Sequence, residues 1–298
     1  MKGFETTVYG KCILAGEHAV LRGSPAIAVP LKSRSLMVSF YPSDEDLEIL
    51  AESELSSIPA HETSHIETVY SSVLSEALRA LGKKSKEVRG KIKLKSDIPV
   101  GSGLGASAAL CVSVTRMMEF FGWLSSTDTY EFARVLENRF HGESSGLDVA
   151  VALKAQPLKF VRGESIEVIH LNWLPKTFLS YSGARGLTSD CVAQVKKLFD
   201  QKKEEAIRID QQMRNSVEQI EQALKLEQDK GFDLLCDGIT GANDCFKSWG
   251  LFNGKLEEHA DWVLKKGAIA VKPTGSGGGG HILSIWKSLP EGDFLSVL

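Results

Sequence analysis

Alternating apolar and polar positions predict β-strands in the first third of the chain. In the stretch GKIKLKSD, Ile92 and Leu94 alternate with lysines, and this period of two is typical of a half-buried strand. The stretch RSLMVSF, residues 34–40, is rich in residue types that favour strands. We therefore expect both segments to be strands.

Apolar residues three or four positions apart predict three helices between residues 66 and 140. The first helix ends at Gly82. Its apolar stripe consists of Val69, Val73, Leu74, Ala77, Leu78 and Leu81. The second is predicted over residues 106–121, and Gly122 ends it. The third places three apolar side chains on one face, namely those of Phe132, Leu136 and Phe140.

The second half of the chain mixes short strands with a long helical region. The β-like segments are residues 158–161, 166–171 and 178–181. A charged helical region follows at residues 191–230. Its apolar stripe consists of Ile207, Met213, Val217, Ile220 and Leu224. Further helices are expected around Leu234 and Leu256, and residues 268–286 predict a strand, a glycine loop and another strand.

Length, composition and charge narrow the class of protein. A chain of 298 residues fits two domains, and the change in character near residue 156 predicts domains at 1–156 and 157–298. The net charge of -3 gives no reason to expect nucleic acid or a membrane as partner, which favours small metabolites. A homodimer is compatible with the sequence, which leaves the oligomeric state open.

Cysteine usage and the N-terminal pattern predict a cytoplasmic location. The five cysteines include no C-x-x-C pair, which argues against a disulfide framework or a zinc site and favours buried, reduced thiols. Polar residues interrupt the apolar runs near the N-terminus, so no signal peptide is expected. No window approaches the roughly 18 apolar residues of a membrane span.

Two glycine loops are candidates for close backbone contact with a ligand or another segment. The first, GSGLGAS at residues 101–107, lies between a predicted strand and a predicted helix, where amides converge on an anion such as phosphate. Its spacing fits a Rossmann fingerprint, but no acidic ribose ligand follows, and the G-K-[ST] of a Walker loop is absent. A tight turn without function is the alternative. The second loop, TGSGGGGH at 274–281, predicts close backbone approach, with a flexible hairpin as the alternative.

Two carboxylates lie near the first loop in sequence. Beside a phosphate loop, Glu137 and Asp148 suggest two different roles, in which one carboxylate binds Mg²⁺ and the other lies near the nucleophile. Asp148 alone is also compatible with a helix N-cap. The stretch GESSG formally matches a hydrolase elbow with Ser144 as nucleophile, but it follows a helix rather than a strand, so we interpret it as a chance match.

Four stretches, taken together and in order, resemble the GHMP kinase superfamily, most closely its mevalonate kinases. GKCILAGEHAVLRGSPAIAVPL resembles the N-terminal motif, in which G-E-H-A-V is distinctive. PVGSGLGASAAL resembles the phosphate loop, HGESSGLDVAV the segment with the catalytic aspartate, and KPTGSGGGGH the C-terminal glycine motif. The resemblance implies an α+β fold of two domains, with the active site in the cleft between them.

The activity implied by the resemblance is ATP-dependent phosphorylation of the 5-hydroxyl of mevalonate in isoprenoid biosynthesis. Asp148 would orient the hydroxyl and accept its proton, and Lys11 would stabilise the developing negative charge. Ser107 and Glu137 would bind the Mg²⁺ that bridges the phosphates of ATP.

The resemblance also implies two sets of binding residues. The phosphates of ATP would be bound by Pro99, Gly101, Ser102, Gly103, Leu104, Gly105, Ala106 and Ser107. The alcohol would be bound by Glu17, His18, Arg185 and Thr188.

Departures from the family pattern leave the substrate open. Ala106 replaces a serine of the phosphate loop, no proline accompanies Ser144 and Ser145, and Arg185 lies farther from Thr188 than the family's arginine usually does. The alternatives are a kinase for phosphomevalonate or homoserine, and a catalytically silent nucleotide-binding protein.

Overall fold

The computed structural model describes residues 3–52, 60–141 and 144–298 and divides the chain into two compact units. The first unit comprises residues 1–10, 34–99 and 105–155, and the second comprises residues 11–33, 100–104 and 156–298. The second unit thus includes two segments from the first half of the chain. The domain limits 1–156 and 157–298 stay a prediction beside this interleaved division.

The strands of the first unit follow the predicted alternation. Strands β1 (Phe4–Ala15) and β2 (Ala26–Pro42) pair with each other and contribute residues to both units. Within the first unit β2 pairs antiparallel with β4 (Gly90–Ser96), which pairs in parallel with β3 (Glu48–Glu52). The side chains of Leu36, Val38 and Phe40 are buried and those of Met37 and Tyr41 are exposed, as a period of two requires.

Four helices complete the first unit. They are α1 (Ala60–Ala80), α2 (Ala106–Phe120), α3 (Thr129–His141) and α4 (Leu147–Lys154). The predicted second helix is confirmed to within one residue at its C-terminus. Helix α2 is almost entirely buried because it contacts each of the other three helices, so its N-terminal residues are held rigidly after the first glycine loop.

The second unit has two groups of strands. Strand β5 (Leu158–Val161) pairs antiparallel with the beginning of β2 and with β6 (Ser165–Val168). A separate antiparallel sheet has the order β10-β7-β9-β8, with β7 at Lys176–Tyr181, β8 at Ala270–Thr274, β9 at His281–Trp286 and β10 at Leu295–Ser296. The predicted strand–loop–strand at residues 268–286 is confirmed as β8, the second glycine loop and β9.

The long helical region of the second unit is divided more finely than the apolar pattern predicts. The predicted region 191–230 contains α5 (Thr188–Gln201), α6 (Lys203–Lys225) and the first residues of α7 (Gln228–Ser248). The helices predicted around Leu234 and Leu256 are confirmed as α7 and α8 (Lys255–Lys265). The placement of Ile207 in the apolar stripe is wrong, because its side chain is half exposed and Ala206 and Ile209 are buried instead. The mixture of helices and mainly antiparallel strands confirms the α+β class.

Two findings bear on the expected environment of the protein. All five cysteines are buried free thiols. Within the described part of the chain, no helix combines the length and the apolar character needed to cross a membrane.

Arg116 joins three segments of the first unit from the middle of α2. Its guanidinium donates hydrogen bonds to the hydroxyl of Thr6, the carbonyl of Thr7 and the carbonyl of Leu153, over 3.0–3.1 Å. The Leu153 carbonyl lies in the last turn of α4, where carbonyls have no partner within the helix. Burial lowers the pKa of Arg116, yet the three acceptors keep the guanidinium in place.

Replacement of this guanidinium tests its structural role. We expect Arg116→Met to lower the free energy of unfolding by about 2 kcal/mol, because two carbonyls and a hydroxyl lose a charged donor while the apolar stem is retained. Urea denaturation at pH 7 measures the change. The matched control is Arg134→Met, which breaks a surface pair with Glu131 and should cost less than about 0.5 kcal/mol. Equal losses in the two variants would contradict the role assigned to Arg116.

Candidate active site

The segment that carries Lys11 is bound to both glycine loops within the second unit. The backbone amide of Lys11 donates to the carbonyl of Leu104 over 2.9 Å. Two residues on, the amide of Ile13 donates to the hydroxyl of Thr274 over 3.1 Å, and that hydroxyl donates to the Ile13 carbonyl. Lys11 itself is only 3% exposed. The end of β1 therefore connects the first loop to the strand that enters the second.

The first glycine loop has a backbone conformation that requires glycine. Its three glycines, at positions 101, 103 and 105, have φ of 71°, 79° and 84°, a region that L side chains rarely adopt. A Cβ atom at Gly103 would lie 3.1 Å from the carbonyl oxygen of Thr274. His281, at the far end of the second loop, hydrogen-bonds the carbonyl of Ser102 over 3.1 Å. The two loops are thus packed backbone against backbone.

The second glycine loop also approaches the segment that carries Arg185. A Cβ atom at Gly186 would lie 2.4 Å from the carbonyl oxygen of Gly277, and one at Gly279 would lie 2.6 Å from the amide nitrogen of Gly186. The amide of Gly280 donates to the carbonyl of Ala184 over 2.8 Å. These contacts confirm the predicted close approach of backbones and contradict the alternative of a flexible hairpin.

His18 is buried in a strained backbone conformation beside the second loop. Its φ is 58°, which is uncommon for a residue with a side chain. Its Nε2 hydrogen-bonds the carbonyl of Ser276 over 2.8 Å, and its ring packs edge-on against Trp249. Burial lowers the pKa of His18 to about 4, so the imidazole is neutral at physiological pH.

Glu17 is paired inside the protein with a lysine that the sequence did not single out. The Nζ of Lys272 lies 2.5 Å from Oε1 of Glu17, and the two side chains are 0% and 2% exposed. The predicted placement of Glu17 in the substrate site stays a prediction, but the residue that holds its carboxylate is Lys272. The one feature of the sequence that could have indicated a buried, paired Lys272 is its position within the otherwise apolar run AIAVKP.

Arg185 and Thr188 lie in the segment that contacts the second loop through Ala184 and Gly186. Thr188 is the first residue of α5, and the hydroxyl of Ser276 donates to its hydroxyl over 3.4 Å. Both Arg185 and Thr188 are exposed. Ser276 is therefore shared, since its carbonyl contacts His18 and its hydroxyl contacts Thr188.

The first unit contains the two predicted carboxylates. Glu137 is 1% exposed on α3 and accepts a 2.5 Å hydrogen bond at Oε2 from the hydroxyl of Ser144. That hydroxyl also accepts from the amide of Gly146 over 3.1 Å. Ser144 is buried and committed to these contacts, which agrees with the interpretation of GESSG as a chance match; Gly142 and Glu143 lie outside the described residues.

Asp148 is half buried in the first turn of α4, and it does not cap that helix. The N-cap is Gly146, two residues earlier, whose φ of 88° favours glycine. A Cβ atom at Gly146 would lie 2.3 Å from the hydroxyl of Tyr130. The helix therefore begins before Asp148, and the N-cap alternative is wrong.

Ser107 and Glu137 are both associated with the first turns of α2. Ser107 is the second residue of that helix, and Cys111 lies one turn later on the same side. Burial raises the pKa of Cys111, and the negative charge of Glu137 raises it further. The charge of Glu137 is therefore felt at Cys111 on α2, and Ser107 and Glu137 carry hard oxygen donors of the kind that Mg²⁺ prefers.

The predicted site residues are divided between the units. In the second unit are Lys11, Glu17, His18, Gly101, Ser102, Gly103, Leu104, Arg185 and Thr188. In the first unit are Pro99, Gly105, Ala106, Ser107, Glu137 and Asp148.

Comparison with known proteins identifies the class. Residues 69–156 match the GHMP kinases N terminal domain, a segment that includes the first glycine loop, Glu137 and Asp148. That part of the chain is therefore similar to the N-terminal domain of GHMP kinases, as the resemblance implied.

Its relatives carry a more specific name. A mevalonate kinase of Thermococcus sibiricus is 28% identical over 292 residues, covering 92% of this chain and 86% of that protein. One of Pyrococcus abyssi is 29% identical with the same coverage. The structure of L. major mevalonate kinase in complex with R-mevalonate has a TM-score of 0.79 at 22% identity, covering 96% of this chain and 87% of that one. The last comparison confirms the expected GHMP kinase fold.

The buried imidazole of His18 predicts a loss of stability in acid. A pKa of about 4 in the folded state, against 6.5 for the ordinary group, means that below pH 6.5 the unfolded chain binds a proton that the folded protein excludes. The stabilising contribution is present above pH 6.5 and is lost as the pH falls towards 4. Between pH 7 and pH 5 we expect a loss of about 2 kcal/mol from this group.

Urea denaturation at pH 7 and pH 5 measures this contribution. In His18→Gln the difference between the two pH values should shrink by that amount, whatever the absolute stability of the variant. His170→Gln, at an exposed position, controls for the removal of an imidazole. An unchanged pH dependence in His18→Gln would exclude His18 as the source.

Proposed function

We propose that the protein is a mevalonate kinase, which transfers the γ-phosphoryl group of ATP to the 5-hydroxyl of mevalonate. One observation carries the proposal: within one compact unit, the segment with the distinctive G-E-H sequence contacts both glycine loops, through Lys11 on Leu104 and through His18 on Ser276. The names of the relatives, which cover more than nine-tenths of this chain, support the same substrate.

The proposed mechanism assigns proton transfer and charge stabilisation to side chains of the chain. Asp148 orients the hydroxyl of the alcohol and accepts its proton as the bond to phosphorus forms. Lys11 contributes a positive charge that stabilises the oxygen as it loses that proton. The amides of residues 101–107 bind the phosphate oxygens, and the φ above zero at Gly101, Gly103 and Gly105 supports this role because left-handed residues are typical of the backbone nests that bind anions.

The residues that would hold Mg²⁺ are Ser107 and Glu137. Across the described residues no group of three or more His, Cys, Asp or Glu side chains is arranged to hold a metal ion. The remaining ligands would therefore be oxygens of phosphate and water, as is common for magnesium in nucleotide sites. When bound, the ion neutralises charge on the β- and γ-phosphates.

Substrate assignment is tested by an ADP-release assay with Mg-ATP and a panel of mevalonate, phosphomevalonate and homoserine. We expect turnover with mevalonate and little with the other two alcohols. Turnover restricted to another alcohol would overturn the substrate. Binding of ATP without transfer to any alcohol would favour the silent nucleotide-binding protein.

The role of Asp148 is tested by Asp148→Asn. We expect kcat to fall by about 10²–10⁴-fold, because the hydroxyl loses the base that accepts its proton, while ATP binding measured by calorimetry is retained. Asp128→Asn is the matched control, since Asp128 is an exposed carboxylate beside the start of another helix of the same unit. Full activity of Asp148→Asn would remove this residue from the mechanism.

The metal-binding role of Glu137 is tested by Glu137→Gln. The amide still accepts from Ser144 but has no negative charge, so we expect at least about tenfold more Mg²⁺ for half-maximal rate at fixed ATP. Glu131→Gln, on the exposed side of the same helix, is the control. A magnesium requirement equal to that of the control would exclude Glu137 as a ligand.

A further inference from the structure

The ammonium group of Lys272 is fully buried and has an oxygen acceptor for each of its three protons. Its Nζ donates to Oε1 of Glu17 over 2.5 Å, to the carbonyl of Pro273 over 2.5 Å and to the carbonyl of Ile13 over 3.3 Å. Lys272 is 0% exposed. Because its donors are all used inside the protein, Lys272 has a fixed position, and no proton remains for a ligand.

Glu17 depends on Lys272 for its only hydrogen bond to a side chain among the described residues. Its other oxygen, Oε2, is buried with no hydrogen-bond partner in that part of the chain. Burial raises the pKa of Glu17, and the positive charges of Lys272 and then Lys11 oppose that rise. The carboxylate thus lies within the electrostatic range of both lysines, one of which is the proposed catalytic residue.

The backbone on either side of Glu17 leaves little room for another arrangement. A Cβ atom at Gly16 would lie 2.4 Å from Ala26, and the amide of Gly16 contacts the sulfur of Met213 over 3.2 Å. On the other side, His18 has φ of 58°. Such a conformation costs of the order of 1–3 kcal/mol and persists only where neighbouring contacts impose it. The contacts that impose this conformation on His18 are the ion pair at Glu17 and the hydrogen bond of His18 to Ser276.

We propose that Lys272 is a positioning residue, which acts through Glu17 to hold His18 and the second glycine loop in the arrangement that binds the alcohol. The inference rests on the proposed function, because the resemblance to mevalonate kinases is what implies that His18 binds the alcohol. It gives Glu17 a different role from direct contact with substrate. Lys272 binds no ligand itself, and its effect on turnover passes through residues 17 and 18.

A purely structural ion pair is the alternative, and it makes a different prediction. Replacing a buried ion pair by apolar side chains of similar size often leaves stability unchanged or raises it, whereas removing one partner leaves an uncompensated charge. The double variant Glu17→Met/Lys272→Met therefore separates the two roles. It removes both charges, retains volume and should fold.

The experiment compares this double variant with the wild-type protein in steady-state kinetics. We expect the KM for the alcohol to rise at least about tenfold, since a shift of the order of 1 Å in a binding group is enough for such an effect. The KM for ATP should change less. Lys159→Met is the matched control, because it breaks the Lys159–Glu221 pair of the same unit, with Nζ and Oε2 2.7 Å apart, and should leave both KM values unchanged.

A spectroscopic readout follows His18 directly. Selective labelling of the seven histidines, with His18→Gln to assign the resonance, gives the pKa of His18 by NMR titration. In the double variant we expect that pKa to rise from about 4 towards the ordinary 6.5, because the imidazole is no longer held in its buried position. A folded double variant with wild-type KM for the alcohol would overturn the proposal and show that the Glu17–Lys272 pair contributes only to packing.

Two provisions keep this test separate from the test of function. If the double variant does not fold, Lys272→Met replaces it, because burial raises the pKa of Glu17 and its carboxyl can take up a proton when the lysine is gone. A wild-type KM for the alcohol in that variant overturns the proposal. The titration of His18 requires no substrate. If the wild-type protein phosphorylates another alcohol instead of mevalonate, the substrate assignment fails, and the positioning role is then measured with that alcohol.

Discussion

The ammonium group of Lys272 has no contact with solvent, and a buried charge costs several kcal/mol unless oxygen atoms replace the lost water. The three replacing oxygens come from Ile13, Glu17 and Pro273. Two of them belong to a segment about 255 residues earlier in the sequence. Satisfying one charge therefore fixes the end of β1 and the turn after it against the strand that enters the second glycine loop.

Contacts of backbone groups fix most of the other segments around the Lys272 charge. The hydroxyl of Thr274 contacts both the amide and the carbonyl of Ile13, and the glycines of the second loop pack against backbone atoms of residues 102–103 and 184–186. A Cβ atom at Gly186 or Gly279 would meet another backbone at less than 3 Å. Such a site is specified by the absence of side chains at a few positions.

Local patterns predicted the elements, and the missing information is nonlocal. Periodicity placed β4, β5, α2 and the strands around the second loop, because each depends on residues close in sequence. Helices α5 and α6 and the start of α7 were predicted as one region, since no glycine or proline marks the breaks at Lys202 and at Leu226–Glu227. The pairing of Lys272 with Glu17 had no local signature beyond a charged residue in an apolar run. Likewise, nothing in the sequence of residues 11–33 indicated that they belong to the second compact unit.

The choice of an ion pair over an apolar contact has a physical reason in the residues beside it. Apolar packing is non-directional and would tolerate several rotations of the segment between Gly16 and His18. An ammonium group with three fixed acceptors allows only one rotation of that segment, because each proton must point at its oxygen. That orientation is what a residue with φ of 58° needs, since its conformation persists only where the surroundings impose it. Burying two charges is unfavourable, but it gives His18, and the carbonyl of Ser276 that His18 contacts, a single orientation.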